Sequence, residues 1–411
     1  MKRAAWLFAL AAFAQDPVET LEKARNQVLS EAPRLSGYAC VETIDRSYFS
    51  RAEQPESPPS CEQIAVEAKK GRRHLKLDAT DRLRVLVAVA QGREIYSWTG
   101  TAPYEHGVED ILQAGPIGTG AFAVDLLDVF SNPSVRFRLL EERLDAIDYG
   151  FRVPVEASRF VVGAPNEWLP TGYSGSINLD RDSLAVRRFT FESDELPPAT
   201  SMCESTTVLE FPSRQAAGAS WFVPSRSRTR EVMRDATETD SVATLSDCRE
   251  HSAAPPPPPP APANTAAPLP ADLKVSLVFN APIDTDVAAA GDPISATVTD
   301  PVMTGLRIVL HQGATVTGRI VRMRRQADPP LFPISIAFDT LEDHGASSPF
   351  YARLIDPAPA TEKALYQTMT LTGHGLKDWP QGRFGFKPRA HLVIPAPFKS
   401  KWVTTAPPAA R

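Results

Sequence analysis

A run of prolines near the middle of the chain limits the folds that this sequence can adopt. Pro255 to Pro260 are six consecutive prolines, and more prolines follow among alanines, in a sequence of 411 residues. Proline lacks a backbone N–H and has a fixed φ, so such a run cannot join a helix or a central strand. Residues 253–270 are therefore predicted to form an extended polyproline II linker between two modules, residues 15–252 and 271–411. A chain of this length is also expected to divide into more than one domain.

Residues 1–14 have the pattern of a signal peptide. Lys2 and Arg3 are positively charged, an apolar run follows, and Ala12-Phe13-Ala14 fits the small-x-small cleavage pattern. A helix that spans a membrane needs about 20 apolar residues, so this run is too short to be an anchor. Because the first cysteine is Cys40, a lipoprotein anchor is not expected either. We predict an exported protein, periplasmic or secreted, with no transmembrane segment after signal cleavage.

The four cysteines agree with export. They are Cys40, Cys61, Cys203 and Cys248, and none forms a Cys-x-x-Cys pair. In an oxidising compartment such cysteines are expected to form disulfides rather than a zinc or redox site. Three connectivities are open to four cysteines. The favoured one pairs Cys40 with Cys61 and Cys203 with Cys248, because the alternatives must cross the two halves of the module.

The hydrophobic pattern predicts a mainly β fold. In the first module, residues 17–32 have the apolar spacing of a helix, and a curved antiparallel sheet, or half-barrel, is predicted to follow. A hairpin is predicted around Gly71, because Ile64 and Leu75 belong to alternating apolar segments on either side of it. A short helix is predicted over residues 118–131. The second module consists of short strands separated by turn residues, which is typical of a small β-barrel or sandwich.

Part of the second module resembles a known family. The motifs are Gly291-Asp292-Pro293-Ile294 with Ala296, and then Gln312-Gly313-Ala314-Thr315-Val316-Thr317-Gly318. In this order, residues 270–345 are similar to the barrel domain of TrbI-like proteins of conjugal transfer and type IV secretion. The resemblance implies the barrel shape and not the channel, because a channel protein would carry a helical antenna or a membrane-crossing segment.

The first module has a looser likeness. Its order of elements over residues 17–252, one helix and then a curved antiparallel sheet, resembles the LolA-like lipoprotein carriers. That likeness implies a concave apolar face for a lipid-like ligand. The motifs Tyr38-Ala39-Cys40 and Asp247-Cys248-Arg249 are similar to those of uncharacterised exported bacterial proteins, and they imply no activity.

The sequence offers no recognisable catalytic, cofactor or metal site. The seven histidines include no HExxH motif and no pair at metal-ligand spacing. Gly172-Tyr173-Ser174-Gly175-Ser176 is similar to a nucleophile elbow, but the GxSxG motif would need glycine at position 176, which is serine here. The segment from Gly115 to Gly120 is rich in glycine but lacks the ending of a phosphate-binding loop. We therefore predict no enzyme activity, no metal and no cofactor.

The distribution of charge supplies two candidate contact regions. The second module carries 15 Lys and Arg residues against 12 Asp and Glu, and the rest of the chain carries 29 against 37. Neither balance indicates a nucleic-acid partner. Two basic runs are candidate contacts for an anionic surface such as lipid headgroups or cell-wall polymer. They comprise Lys69, Lys70, Arg72, Arg73, Arg322, Arg324 and Arg325. The other interpretation is that they are solvated strand edges that discourage aggregation.

Together these features predict a non-enzymatic binding protein, of the cell envelope or secreted, that holds an apolar or lipid-like ligand in its first module. The alternative is an interaction or structural subunit of an envelope or secretion-type assembly, and a third hypothesis is an unrecognised hydrolase. The inner face of the first module distinguishes them. An open apolar cavity favours ligand binding, a filled face favours the interaction subunit, and a cleft with His, Ser and Asp favours the hydrolase.

Overall fold

The computed structural model describes part of the chain, and the statements below concern these residues. They are 16–35, 38–53, 59–71, 74–90, 93–99, 123–164, 167–194, 196–212, 223–250, 267–328, 332–357, 368–369, 383–386, 393–394 and 396–407. The predicted signal peptide, most of the predicted linker, Arg72, Arg73 and the segment from Gly115 to Gly120 lie outside them. Within the described segments, no helix is both long and apolar enough to cross a membrane.

The fold is mainly β, as predicted. The first module contains α1 (Pro17–Leu35), β1 (Tyr38–Arg51), α2 (Cys61–Lys69), β2 (Leu75–Ala90), β3 (Arg93–Trp98), α3 (Val124–Ser131), β4 (Arg136–Glu142), β5 (Ala146–Val153), β6 (Val161–Ala164), β7 (Glu167–Pro170), β8 (Tyr173–Asp180), β9 (Val186–Ser193), β10 (Met202–Glu210), β11 (Arg226–Met233) and β12 (Glu238–Glu250).

The second module contains strands throughout its described segments. These are β13 (Lys274–Phe279), β14 (Ile283–Asp284), β15 (Pro293–Val298), β16 (Val302–Thr304), β17 (Arg307–Leu310), β18 (Thr315–Gln326), β19 (Phe332–Asp343), β20 (Ala346–Pro349), β21 (Ala352–Pro357), β22 (Thr368–Met369), β23 (Arg383–Phe386), β24 (Val393–Ile394) and β25 (Lys399–Thr404).

One antiparallel sheet carries the first module. Its order is β3-β2-β1-β12-β11-β10-β9-β8-β5-β4, so the first strands of the module lie beside its last one. The helix predicted over residues 17–32 is confirmed as α1, and the short helix predicted over 118–131 is found as α3 in its described part. Both helices pack into the core of this module, through buried residues such as Val28 of α1 and Phe130 of α3.

The hairpin predicted around Gly71 is wrong on its first side, because Cys61–Lys69 form helix α2. Ser60 starts this helix. Its Oγ accepts the backbone N–H of Gln63 at 3.2 Å, and the Gln63 side chain accepts the N–H of Ser60 at 2.8 Å. This capping box satisfies N–H groups at the helix start, and Ile64 supplies the buried side chain of the first turn.

The four cysteines form two disulfides, but not in the favoured connectivity. Cys40 bonds to Cys248, with Cα atoms 4.1 Å apart, and Cys61 bonds to Cys203, with Cα atoms 5.1 Å apart. The first bond joins β1 to its antiparallel neighbour β12, where the register shifts between Ala39 and Val41. The second joins α2 to β10. The pairing of Cys40 with Cys61 and of Cys203 with Cys248 is therefore wrong, because contacts between elements distant in sequence, β1 with β12 and α2 with β10, decide the two bonds.

The second module is an antiparallel sheet around its own core. The pairings give the order β21-β25-β13-β15-β18-β19-β23-β22, and β20 pairs with the other end of β19. The described strands do not close into a barrel. Aromatic side chains fill the core, with Trp402 and Phe338 at 5.0 Å between ring centroids.

Strand β18 connects the two modules. Its first part pairs with β15, and Arg324 to Gln326 pair with Ala79 to Asp81 of β2. The other edge of β18 pairs with β19. The strands of both modules thus form one continuous hydrogen-bonded network, and a site at this junction can draw side chains from both.

Candidate functional site

One edge of β2 is divided among three partners. Residues 85–90 pair with β3, residues 79–81 pair with β18, and the backbone between them bonds to Ala290. The Ala290 N–H donates to the Arg82 carbonyl at 2.9 Å, and the Arg84 N–H donates to the Ala290 carbonyl at 2.7 Å. The second module therefore covers the part of this edge that β3 leaves free, so its backbone groups are paired rather than exposed.

Close packing supports this contact. A buried apolar cluster shared by the two modules consists of Ile44, Leu83, Ala243 and Ala290. At Gly291, φ is +103°, and a Cβ atom would lie 2.1 Å from the carbonyl oxygen of Arg84. Such a backbone conformation and such an approach require glycine. The Gly291-Asp292 pair, which belongs to the TrbI-like motif of the sequence, therefore lies at the junction.

Beside this contact lies a cleft between the two modules, open to solvent and with a volume of about 390 Å³, which we call the junction cleft. Its walls come from β1 and β2 on one side and from the β14 region, β18 and β19 on the other. The lining residues are Asp45, Arg46, Ser47, Thr80, Asp81, Arg82, Thr285, Asp286, Ala288, Met323, Arg324, Arg325 and Phe332. Four arginines and three aspartates among them make the cleft strongly polar.

The best ordered of these charges is the pair of Arg46 and Asp81. Arg46 donates from Nε at 2.7 Å and from Nη2 at 2.8 Å to the two oxygens of the carboxylate, and the Tyr48 hydroxyl donates to it at 3.0 Å. Burial alone would lower the pKa of Arg46, but the charge of Asp81 outweighs it and the pKa is raised. Burial raises the pKa of Tyr48. This pair is therefore a fixed, internally neutral part of the cleft wall.

The other two aspartates of the cleft also have arginine partners. Arg82 donates to Asp45 at 2.6 Å, and Arg325 donates to Asp286 at 3.2 Å. Each of the three carboxylates in the lining is thus matched by one guanidinium. The fourth arginine of the lining, Arg324, has no carboxylate partner among these pairs.

Arg324 is the exception in this balance. Its guanidinium carbon lies 4.6 Å from the centroid of the Tyr48 ring, and its Nε is buried without a hydrogen-bond partner. A buried N–H group that makes no hydrogen bond is costly, and more so when it carries charge. Burial, and after it the charge of Arg324, lowers the pKa of Arg322. Four arginines against three aspartates therefore leave the lining of the cleft with one excess positive charge.

The basic residues singled out in the sequence fall into two regions. Arg324 and Arg325 line the junction cleft, and Arg322 lies close enough to be influenced by Arg324 and Asp81. In the first run, Lys69 ends α2 and Lys70 follows it, both exposed, and the cleft lining includes neither. The structure therefore brings the second basic run into a cleft and leaves the described part of the first run on the surface.

Sequence analysis missed the contribution of the first module to this cleft. Arg46 occupies the same face of β1 as the buried residues Cys40 and Ile44, because an even number of positions separates it from each of them. A charged residue at a position that strand alternation assigns to the core was the available signal. Its partner Asp81 follows from the register of β1 and β2, in which the two residues are directly opposite.

The inner face of the first module is filled in its described part. Aromatic rings pack against one another there: Phe160 contacts Phe191 edge to face and Phe151 stacks on Phe189, both with centroids 5.3 Å apart. Leu126 and Val129 of α3 pack into the same core and are completely buried. A filled face is the arrangement that favours an interaction protein over a carrier of an apolar ligand.

Three carboxyl groups lie in or beside this first core, with Glu42 buried and Glu94 and Asp125 partly buried. Both oxygens of Glu42 are buried without a hydrogen-bond partner, and burial and then the charge of Glu94 raise its pKa well above the usual range. Burial, with smaller effects of Glu94 and Asp128, raises the pKa of Asp125 to about 7. Glu94 accepts a hydrogen bond from Tyr96 at 2.6 Å. The raised pKa values of Glu42 and Asp125 lead us to expect that the stability of the first module depends on pH.

The serine of the Gly-Tyr-Ser-Gly-Ser segment lies on strand β8 and not at a strand-to-helix turn. Its Oγ donates to Asp194 at 3.0 Å. None of the three histidines that the structure describes, His74, His311 and His344, hydrogen-bonds to Ser174. The described residues therefore do not assemble a serine–histidine pair at this position.

Comparisons with known proteins do not assign a function to this chain, so a function must be inferred from the structure. No protein-family model matches the chain, and no match was found among the curated proteins. The TrbI-like and LolA-like resemblances thus stay predictions from the sequence. What the chain does has to be inferred from the junction cleft and its charges.

Proposed function

We propose that this chain is an exported, non-enzymatic binding protein of the cell envelope, and that its junction cleft binds a phosphate-type oxyanion. The observation that carries the proposal is the guanidinium of Arg324, whose buried Nε makes no hydrogen bond. An oxyanion in the cleft would compensate the charge of this guanidinium. Guanidinium groups suit this purpose because their planar set of donors matches phosphate and carboxylate oxygens.

The balance of charge in the cleft supports an anion rather than a cation or an apolar group. Asp45, Asp81 and Asp286 each pair with an arginine other than Arg324, so none of them is free to neutralise it. The lowered pKa of Arg322 has the same origin, since burial and the neighbouring Arg324 both disfavour its charged form. A bound anion would balance the charge of Arg324 and offset the repulsion between Arg322 and Arg324.

An envelope partner is the source of phosphate that fits the other features. The signal-peptide pattern predicts export, and the two disulfides are compatible with an oxidising compartment. Phosphate in the envelope is carried by lipid headgroups and by cell-wall polymers. Binding to either makes the chain an interaction protein, and the filled inner face of the first module supports that function over transport of an apolar ligand.

The test compares Arg324→Gln with a matched control, Arg307→Gln, at an exposed position of strand β17 in the same module. Binding of inorganic phosphate is measured by calorimetry, and binding to vesicles with and without phosphatidylglycerol is measured by flotation. We expect wild type and R307Q to bind equally. R324Q should bind more than about tenfold less well, because a hydrogen bond to a charged group contributes about 1.5 to 3 kcal/mol.

The two arms also separate the sources of phosphate. Binding to phosphatidylglycerol vesicles that exceeds binding to free phosphate assigns the anion to a lipid headgroup. Binding to free phosphate alone assigns it to a soluble or polymer-borne group. The proposal is overturned if neither probe binds, or if R324Q binds as well as R307Q while both variants keep the melting temperature of the wild type.

A further inference from the structure

Two histidines and an aspartate meet at one end of the second module, outside the junction cleft. They are His311, Asp343 and His344, and one ligand atom from each lies within 4.8 Å of the other two. Nδ1 of His311 is 3.0 Å from Oδ2 of Asp343, and Nδ1 of His344 is 3.7 Å from Oδ1. The two imidazole rings are in contact, with centroids 4.1 Å apart.

Backbone structure fixes the positions of these residues. His311 directly follows β17 and precedes a turn at Gly313, where φ is +87°. Asp343 ends β19, and His344 and Gly345 form the turn into β20 with φ of +49° and +80°. Since β18 and β19 pair from Thr315 opposite Glu342 onward, the two turns are neighbours at the same end of the sheet.

A further hydrogen bond orients the carboxylate. The backbone N–H of His311 donates to Oδ2 of Asp343 at 3.1 Å, on the same oxygen that faces the imidazole. These contacts hold the carboxylate between the two rings.

These separations resemble those of metal ligands. Zinc bonds to nitrogen and oxygen ligands are about 2.0–2.2 Å long, which places two ligand atoms of a tetrahedral site about 3.3 to 3.6 Å apart. The observed separations, 3.0 Å from His311 to Oδ2 of Asp343 and 3.7 Å from His344 to its other oxygen Oδ1, lie on either side of that range. Two imidazole nitrogens and one carboxylate oxygen form the ligand set of many zinc sites with one open position, whereas calcium and magnesium prefer oxygen ligands alone.

We propose that His311, Asp343 and His344 bind a divalent transition-metal ion, with Zn²⁺ as the best fit and water completing the coordination. The imidazole of His344 is largely exposed and that of His311 is partly exposed, so an ion can enter from solvent without rearrangement of the core. The structural alternative is a hydrogen bond between His311 and Asp343 that only links the two turns. In that case His344 would have no part in binding.

The experiment titrates Zn²⁺ into the untagged full chain and into His344→Ala, with His74→Ala as the control at an exposed histidine of the first module. We expect wild type and H74A to bind one ion at this site with equal affinity. H344A should bind at least about tenfold more weakly, as expected when coordination is impaired. Asp343→Asn provides a second variant, and it should weaken binding in the same way.

Spectroscopy distinguishes this site from other histidines of the chain. Co²⁺ in a tetrahedral site with nitrogen ligands gives visible absorption bands, which the wild type and H74A should show and H344A should lose. The proposal is overturned if wild type binds no Zn²⁺, or if both H344A and D343N retain the affinity and the Co²⁺ spectrum of the wild type.

Discussion

Arg84 in the first module holds both carboxylate oxygens of Asp292 in the second, with Nη1 at 2.6 and 2.7 Å from them. The two residues are 208 positions apart in the sequence. Next to them, the N–H of Arg84 donates to the carbonyl of Ala290 at 2.7 Å. An ion pair that is partly exposed contributes little by itself. Combined with backbone bonds and the buried contact of Leu83 with Ala290, it fixes how the second module lies against β2.

Gly291→Ala is predicted to disrupt this contact. A Cβ atom at this position would lie 2.1 Å from the Arg84 carbonyl oxygen and 2.9 Å from the Trp98 ring, and φ of +103° is itself unfavourable for alanine. Strained backbone of this kind costs on the order of 1–3 kcal/mol before any steric clash is added. We expect a lower melting temperature and separate unfolding transitions of the two modules, measured by differential scanning calorimetry.

The control for this variant is Gly305→Ala. Gly305 also has a positive φ, +63°, but no atom lies within 4 Å of the position of its Cβ. It therefore reports the cost of backbone conformation without the clash at the junction. If G291A and G305A lower the melting temperature equally, and neither variant shows separate unfolding transitions of the two modules, the close approach at Gly291 does not hold the modules together.

The sequence predicts the class of fold well because strand alternation and turn residues are local signals. It also predicts α1, whose apolar positions recur at helical spacing. Around Gly71 the same method fails, since residues 61–69 also alternate in hydrophobicity, and the capping box of Ser60 and Gln63 decides in favour of a helix. Short segments with one buried side chain are poorly defined by periodicity.

Features that depend on distant contacts were not predictable in the same way. Cys40 finds Cys248 because β1 lies beside β12, and Asp81 reaches Arg46 through the register of β1 and β2. The junction cleft requires β18 of one module to pair with β2 of the other. His311 and His344 are separated by a whole hairpin, so no metal-ligand spacing reveals them. Each of these depends on sheet order, which local patterns do not contain.

Peptide mapping without reduction is predicted to recover Cys40 linked to Cys248 and Cys61 linked to Cys203. These bonds close segments with sequence separations of 208 and 142 residues. In the chain-entropy model, a loop of about 100 residues already corresponds to about 4.7 kcal/mol, and the value rises slowly with length. Removing either bond by a pair of Cys→Ser substitutions should therefore lower the stability by several kcal/mol, measured by urea denaturation.

The two disulfides serve as controls for each other. Because the entropic contribution depends on the logarithm of loop length, the two double variants should differ by only about 0.3 kcal/mol from this cause. Cys40 is fully buried in the first core, whereas Cys203 is only partly buried, so the variant without Cys40 should lose more. A peptide that links Cys40 to Cys61 would contradict the connectivity, and equal stability with and without both bonds would contradict the expected contribution.

The partly buried carboxyl group of Asp125 is predicted to make the first module less stable as the pH rises. Burial raises the pKa of Asp125 to about 7 in the folded chain, from an ordinary value of 3.8. A group whose pKa is higher in the folded state binds its proton more tightly there. Its stabilising contribution is therefore complete below about pH 4 and is lost as the pH rises to about 7, at up to about 1.4 kcal/mol per pH unit.

Asp125→Asn removes this proton and should flatten the pH dependence. Melting temperatures of the wild type and of D125N are measured between pH 4.5 and 8, with Asp182→Asn, in the exposed turn after β8, as the control. Relative to the wild type, D125N should gain stability steadily up to about pH 7 and no further above it, since the folded-state carboxyl is then ionised.

Other groups act in the opposite direction at lower pH, such as Asp180, whose pKa is lowered to about 2 by the backbone N–H of Ser183. The comparison therefore uses the difference between variants rather than the wild-type curve alone. A constant difference between D125N and the wild type across this range, as expected for D182N, would show that Asp125 does not change its protonation on unfolding.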